Sequence, residues 1–96
     1  MDQQMCAAIG GRHYLTFTYD GLPREIEPHA HGTSSTGKEV VRGFQTAGQS
    51  SSGELGWRMW TVAKMELLSV SSATFAETRP DYRRGDRQMH PVHCEL

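Results

Sequence analysis

The chain has 96 residues, room for a single domain spanning 1–96 and no more. Ten lysines and arginines face eleven aspartates and glutamates, for a net charge of −1, so a polyanion must be drawn by a local patch and not by a whole-molecule field. Hydrophobic residues make up 36% and charged residues 22%; two Trp, three Tyr and three Phe are enough to anchor a small core and exclude a disordered composition.

The opening stretch "MDQQMCAAIGGR" carries Asp2 as an N-cap and Gly10-Gly11 as a stop. Met5, Ala8 and Ile9 fall at i, i+3 and i+4, which predicts a short helix with one apolar face. "HYLTFTY" then switches to period two: Leu15, Phe17 and Tyr19 face one way, Tyr14, Thr16 and Thr18 the other, the signature of a strand. Asp20-Gly21 follows, the pair that a type I′ hairpin turn favours. The return strand is "LPREIEP", with Pro23 and Pro28 expected to limit its two ends.

"HAHGTSSTGKEVVRGFQTA" predicts a short strand, a Ser/Thr/Gly turn and a longer strand from about 39 to 46. The polar stretch 48–56 reads as a hairpin connection, "WRMWTV" as a strand, and "AKMELLSV" as one helical turn entering another strand. Residues 75–91 read as an irregular crossing segment. "VHCEL" closes as a strand with Val92, Cys94 and Leu96 alternating against His93 and Glu95. Five or six short strands with one short N-terminal helix predict a mainly β chain folded as a small barrel. Leu15, Phe17, Val41, Trp60, Val62, Leu68, Val70 and Val92 are its expected core.

No apolar run nears the roughly 20 residues of a membrane span, and the N-terminus lacks a basic stretch followed by an apolar one, so no membrane partner and a cytoplasmic location are expected. Cys6 and Cys94 match no metal spacing; two free thiols in a reducing compartment are the expectation, and a disulfide between them the alternative.

The residues able to carry chemistry each have two readings. His29 and His31 flank one alanine. On a regular strand both rings lie on the same side, about 6.5–7 Å apart at Cα, and His90, His93 and Cys94 are the residues available to complete a metal site. Neither CxxC nor HxxxH is present, so no metal and no cofactor are expected. Arg58 shares a face with Trp60; its planar fork suits a phosphate or carboxylate, against a surface ion pair with Glu39 or Glu54. Arg42 interrupts an apolar strand and either enters a pocket or lies in solvent. In "TRPDYRRGDR", Tyr82 among arginines suits single-strand nucleic-acid stacking. The competing reading is a clamp, with Phe75 and Tyr82 covering an open barrel end and Arg79 paired to a carboxylate. No Gly-x-Ser-x-Gly elbow, phosphate loop or dinucleotide fingerprint appears, and no enzymatic activity is expected.

The stretches "RHYLTFTYDG", "EPHAHG", "GKEVVRGFQ", "GWRMWTVAKM" and "FAETRPDY" together resemble the WYL domain family, in a short stand-alone branch, over roughly residues 12–82. The family's eponymous triplet falls at Glu39-Val40-Val41, where only the last position keeps an aliphatic residue of similar kind. The resemblance implies an SH3-like or Sm-like small barrel acting as a regulatory, ligand-sensing module of the kind that accompanies bacterial transcription regulators and phage-defence systems. It implies nucleic acid or a nucleotide-like anion as partner, held at a basic barrel mouth. Lys64 follows the family's basic position near the helical turn, Arg58 lies near the mouth, and His31 stands where the family often has an aromatic and is packed. Arg42, Arg58, Lys64, His29, Arg79 and Tyr82 are the candidate ligand-binding set. A protein-interaction domain using an exposed barrel edge and aromatics is the alternative function.

Overall fold

The computed structural model describes residues 2–50 and 52–96. The Asp2 side chain, expected as an N-cap, and Ser51 in the polar loop lie outside what it describes. One helix, α1 (Asp2–Gly10), precedes six strands: β1 (His13–Tyr19), β2 (Leu22–Ser34), β3 (Glu39–Gly48), β4 (Gly56–Thr61), β5 (Glu66–Thr74) and β6 (Met89–Glu95). A 3-10 turn at Val62–Lys64 links β4 to β5. All strand pairs are antiparallel, in the order β4-β3-β2-β1-β5 with β6 paired to β2. The expected mainly β fold with one short N-terminal helix is present as an open six-stranded sheet, and β4 and β5 are the ends of its main path among the described residues.

The β1–β2 hairpin follows its sequence signal. Asp20 (φ 53°) and Gly21 (φ 76°) both sit at positive φ, and Tyr19 pairs Leu22 across a two-residue turn. The inner face that this hairpin sets carries Leu15, Phe17, Tyr19 and Ile26, joined by Val41, Trp60 and Val62, with Met5, Ala8 and Ile9 of α1 packed on it. Phe17, Tyr19 and Trp60 meet edge-to-face at centroid distances of 5.0–6.0 Å, contacts worth about 0.5–1.5 kcal/mol each beyond their burial. Leu68 and Val70 are only partly buried against this cluster.

Strand β2 does not stop at Pro28. It continues to Ser34, and its register with β3 shifts between Pro28 and Ala30. Proline cannot donate the ladder hydrogen bond and is tolerated inside a sheet at such a bulge. The extra residue, His29, places the segment beyond it out of step with the alternation before it. His29 and Ala30 therefore share the outer face, and His31, paired with Val41, returns to the inner one. The expected same-side histidine pair is overturned. A second shift, between His31 and Gly32 on the β6 side, breaks the expected Val92/Cys94/Leu96 alternation. Cys94 and Leu96 pack on the main core, whereas Val92 joins Ala30, Val40, Met59 and Met89 in a smaller outer cluster. Gly32 is required at this crossing, because a Cβ there meets the Pro91 carbonyl at 2.5 Å.

The free-thiol expectation is also corrected. Cys6 and Cys94 form a disulfide with Cα atoms 5.7 Å apart, because α1 packs beside β6 and the two chain ends meet there. The bridge removes the ground on which a reducing compartment was inferred. No helix of the described residues is long and apolar enough to cross a membrane. Closing a loop of 88 residues contributes roughly 4–5 kcal/mol on chain-entropy grounds. Reduction, or Cys6→Ser, is expected to lower the unfolding free energy by about that amount, read by circular dichroism in denaturant. Native protein purified without reductant whose two thiols are freely alkylated contradicts the bridge.

Candidate functional site

The outer face of β2, β3 and β4 is covered by the segment 75–88. Glu27, buried on β2, anchors that segment: its carboxylate accepts from Arg79 Nε at 2.7 Å and Arg79 Nη2 at 3.2 Å, and from the Tyr14 hydroxyl at 3.3 Å. The Glu27 hydrogen bond raises the Arg79 pKa further above its ordinary value, and the guanidinium lies 4.0 Å over the Phe44 ring. Arg79 is thus engaged by the fold, as the clamp reading has it.

His29 is fully buried beside this pair. Its Nδ1–H donates to the Glu27 carbonyl at 2.8 Å, and its Nε2 accepts the Arg79 backbone N–H at 3.2 Å. Both ring nitrogens are used by the backbone, and burial pushes the imidazole pKa down. The ring is enclosed by Trp57 (4.8 Å), Tyr82 (4.8 Å) and Phe75 (5.5 Å). His29 thereby supports the aromatic wall from behind, with its ring nitrogens bonded to backbone groups.

In front of that wall opens a cleft of about 680 Å³. Trp57 and Tyr82, stacked 6.1 Å apart with planes 25° from parallel, line it together with Arg42, Arg83, Arg84 and Arg87 against Asp81 and Asp86. Arg42 Nε donates to Asp86 at 2.7 Å, and its Nη2 also donates to Gln88. Burial acts to raise the Asp86 carboxyl, but the Arg42 hydrogen bond and the Gln88 N–H outweigh it and leave the group below the usual carboxylate range. Arg84 reaches Glu95 at 3.4 Å, a surface pair of little energetic weight. Among the described residues Arg83 and Arg87 have no ion-pair partner, so the cleft carries an excess of uncommitted positive charge. The Tyr82 hydroxyl donates to the His29 carbonyl at 3.3 Å, and burial raises its pKa.

Four of the six expected site residues thus gather on this side: Arg42 and Tyr82 in the cleft, His29 and Arg79 beneath it. Arg58 and Lys64 do not. Arg42 pairs Met59 and Gly43 pairs Arg58 across β3–β4, so the two arginines occupy opposite faces. Arg58 lies over Trp60 at 4.7 Å and Tyr19 at 5.0 Å, with Asp20 at 3.9 Å and not Glu39 or Glu54 as its acidic neighbour. Lys64 is exposed on the 3-10 turn.

Sequence reasoning missed Arg24, whose guanidinium is buried on the same two rings as Arg58 and donates to the Tyr19 carbonyl at 3.1 Å. Burial, then the neighbouring Arg58, lowers its pKa. Its step of two from Ile26 in "LPREIEP" was the available signal. Trp57 was missed as a site residue because only contact with Tyr82, 25 positions on, reveals it. Comparison with family models, with curated proteins and with solved structures returns no match.

His29→Phe keeps an aromatic ring in the wall but removes both backbone hydrogen bonds. It is expected to cost about 1–3 kcal/mol, the range for leaving buried partners unsatisfied, with a change in tryptophan fluorescence as Trp57 shifts. A variant as stable as wild type contradicts the role given to the ring nitrogens.

Proposed function

We propose that the chain is a non-enzymatic, WYL-like ligand-binding module whose partner is nucleic acid or a nucleotide-like anion, held in the outer cleft. The observation that carries this reading is the stacked Trp57–Tyr82 wall set among Arg42, Arg83, Arg84 and Arg87. A planar base stacks on such a wall, and a phosphate is met by guanidinium forks that offer paired donors. The near-zero total charge makes this local concentration the attracting field. The same reading takes the sheet as a curled SH3-like or Sm-like barrel. Its support is the 3-10 turn, which joins β4 directly to β5, the two edges that closure brings together.

A protein-interaction role has its own observation. Leu67 is 87% exposed on edge strand β5 and sits at φ 54°, an apolar side chain presented by an unfavourable backbone conformation on an open sheet edge.

Labelled single-stranded oligonucleotides and mononucleotides titrated at several salt concentrations separate the two. Two or three phosphate contacts predict a log–log salt slope of roughly −1.4 to −2 for a single strand, and loss of an arginine that makes one of those contacts removes about 0.7 from it. Arg83→Ala and Arg87→Ala are expected to weaken binding, and Arg58→Ala, on the opposite face, to leave it unchanged. Absence of binding below millimolar at low salt, or sensitivity to Arg58→Ala alone, contradicts the cleft and turns attention to Leu67.

A further inference from the structure

The bulge that sends His29 outward leaves His31 on the inner face, where the register brings it new neighbours. Thr33 pairs Glu39 across β2–β3, and Cys94, adjacent to His93, pairs His31 across β2–β6. Three neighbouring strands thus deliver His31, Glu39 and His93 to one place. Their ligand atoms all lie within 4.8 Å of one another. Glu39 Oε1 is 2.9 Å from His93 Nε2 and 4.0 Å from His31 Nε2, and the two rings meet at 5.1 Å between centroids.

We infer that His31, Glu39 and His93 bind one divalent transition-metal ion of the Zn²⁺ class. Bonds of 2.0–2.2 Å in a tetrahedral shell set neighbouring donor atoms about 3.3 Å apart, a value that the observed separations bracket. The residues behind the ligands are those a metal site requires. His31 Nδ1 donates to the Val40 carbonyl at 2.9 Å, which fixes the ring with Nε2 4.0 Å from Glu39 Oε1, on the side of the cluster. Thr33 Oγ1 donates to Glu39 Oε2 at 2.6 Å, which holds the carboxylate with Oε1 toward the histidines. His31 is fully buried, while Glu39 and His93 are partly open to solvent. An ion enters from the His93 side and keeps a fourth position for water or an outside ligand. Two neutral imidazoles and one carboxylate leave a charge of +1 on the bound divalent ion. The sequence offers His93 as a completing ligand beside His29 and His31 but gives no sign of Glu39; this set spans 62 positions of chain and is assembled by the folded register.

The test is titration of the intact, disulfide-bonded chain with Zn²⁺ by calorimetry and with Co²⁺ by visible absorption. The expected result is one ion per chain, the ligand-field spectrum of four-coordinate Co²⁺, and a rise in unfolding temperature that follows metal concentration. His93→Ala and Glu39→Gln, both at partly exposed positions, are expected to weaken binding at least tenfold while retaining the wild-type circular dichroism spectrum. Thr33→Val should weaken it as well, within the 10- to 100-fold range of supporting residues. His90→Ala, on the same strand but outside the cluster, is expected to bind as wild type does. Absence of Zn²⁺ binding up to millimolar, binding undiminished in both His93→Ala and Glu39→Gln, or loss of binding in His90→Ala overturns the assignment.

Discussion

The bulge at Pro28-His29 is the constraint on which the rest of the molecule depends. A proline inside β2 cannot donate its ladder hydrogen bond, and the strand accommodates this by holding two residues, His29 and Ala30, against one step of β3. The extra residue is a histidine whose ring nitrogens bind the Glu27 carbonyl on its own strand and the Arg79 N–H on the crossing segment. The strand therefore carries, in three successive residues, an outward ring, a small outward side chain and an inward ring. The aromatic wall of the outer face is built around the first of these, and the cluster beside β6 around the last.

The two faces are built from different materials. The inner face near α1 is a core of Trp60, Phe17 and Tyr19 with aliphatic neighbours, tied to the last strand by the Cys6–Cys94 bridge. The outer face is amphipathic: Glu27, Arg79, Phe44 and Trp57 form a floor of alternating charge and ring, and segment 75–88 lies over it. That segment has no regular structure apart from turns. Its position is held instead by the buried Phe75, the Arg79–Glu27 pair and the Arg42–Asp86 pair. An irregular segment fixed at a few points beside a rigid sheet presents side chains without obeying strand alternation, and loops of this kind commonly carry function. In the proposed reading its arginines meet the phosphate and the Trp57–Tyr82 wall meets the base.

How much was legible in the sequence depended on the range of the interaction concerned. The β1–β2 hairpin was readable because its determinants, the period-two strand and Asp20-Gly21, are contiguous. The buried face of α1 was readable for the same reason, since Met5, Ala8 and Ile9 lie within one turn. The course of β2 is not legible locally, because a proline marks a strand end and a bulge equally well, and Pro28 sits at a bulge. The disulfide was misread because its partners meet only after every strand between them has paired. Arg42, Tyr82, His29 and Arg79 were each singled out, yet nothing local said that they belong to one side and Arg58 to the other. That separation comes from the β3–β4 register, a pairing across a loop whose length no strand pattern dictates. The gathering of His31, Glu39 and His93 is more remote still, since it needs two register shifts on either side of one strand.

The central claim is that the bulge divides the two histidines between the faces, and nuclear Overhauser contacts from their ring protons test it most directly. The predicted result is that the His29 ring shows contacts to Trp57, Phe75 and Tyr82 and none to His93, while the His31 ring shows contacts to His93 and none to Tyr82. Rings of His29 and His31 that share one set of neighbours would place both on the same face of an unbulged strand and contradict the account.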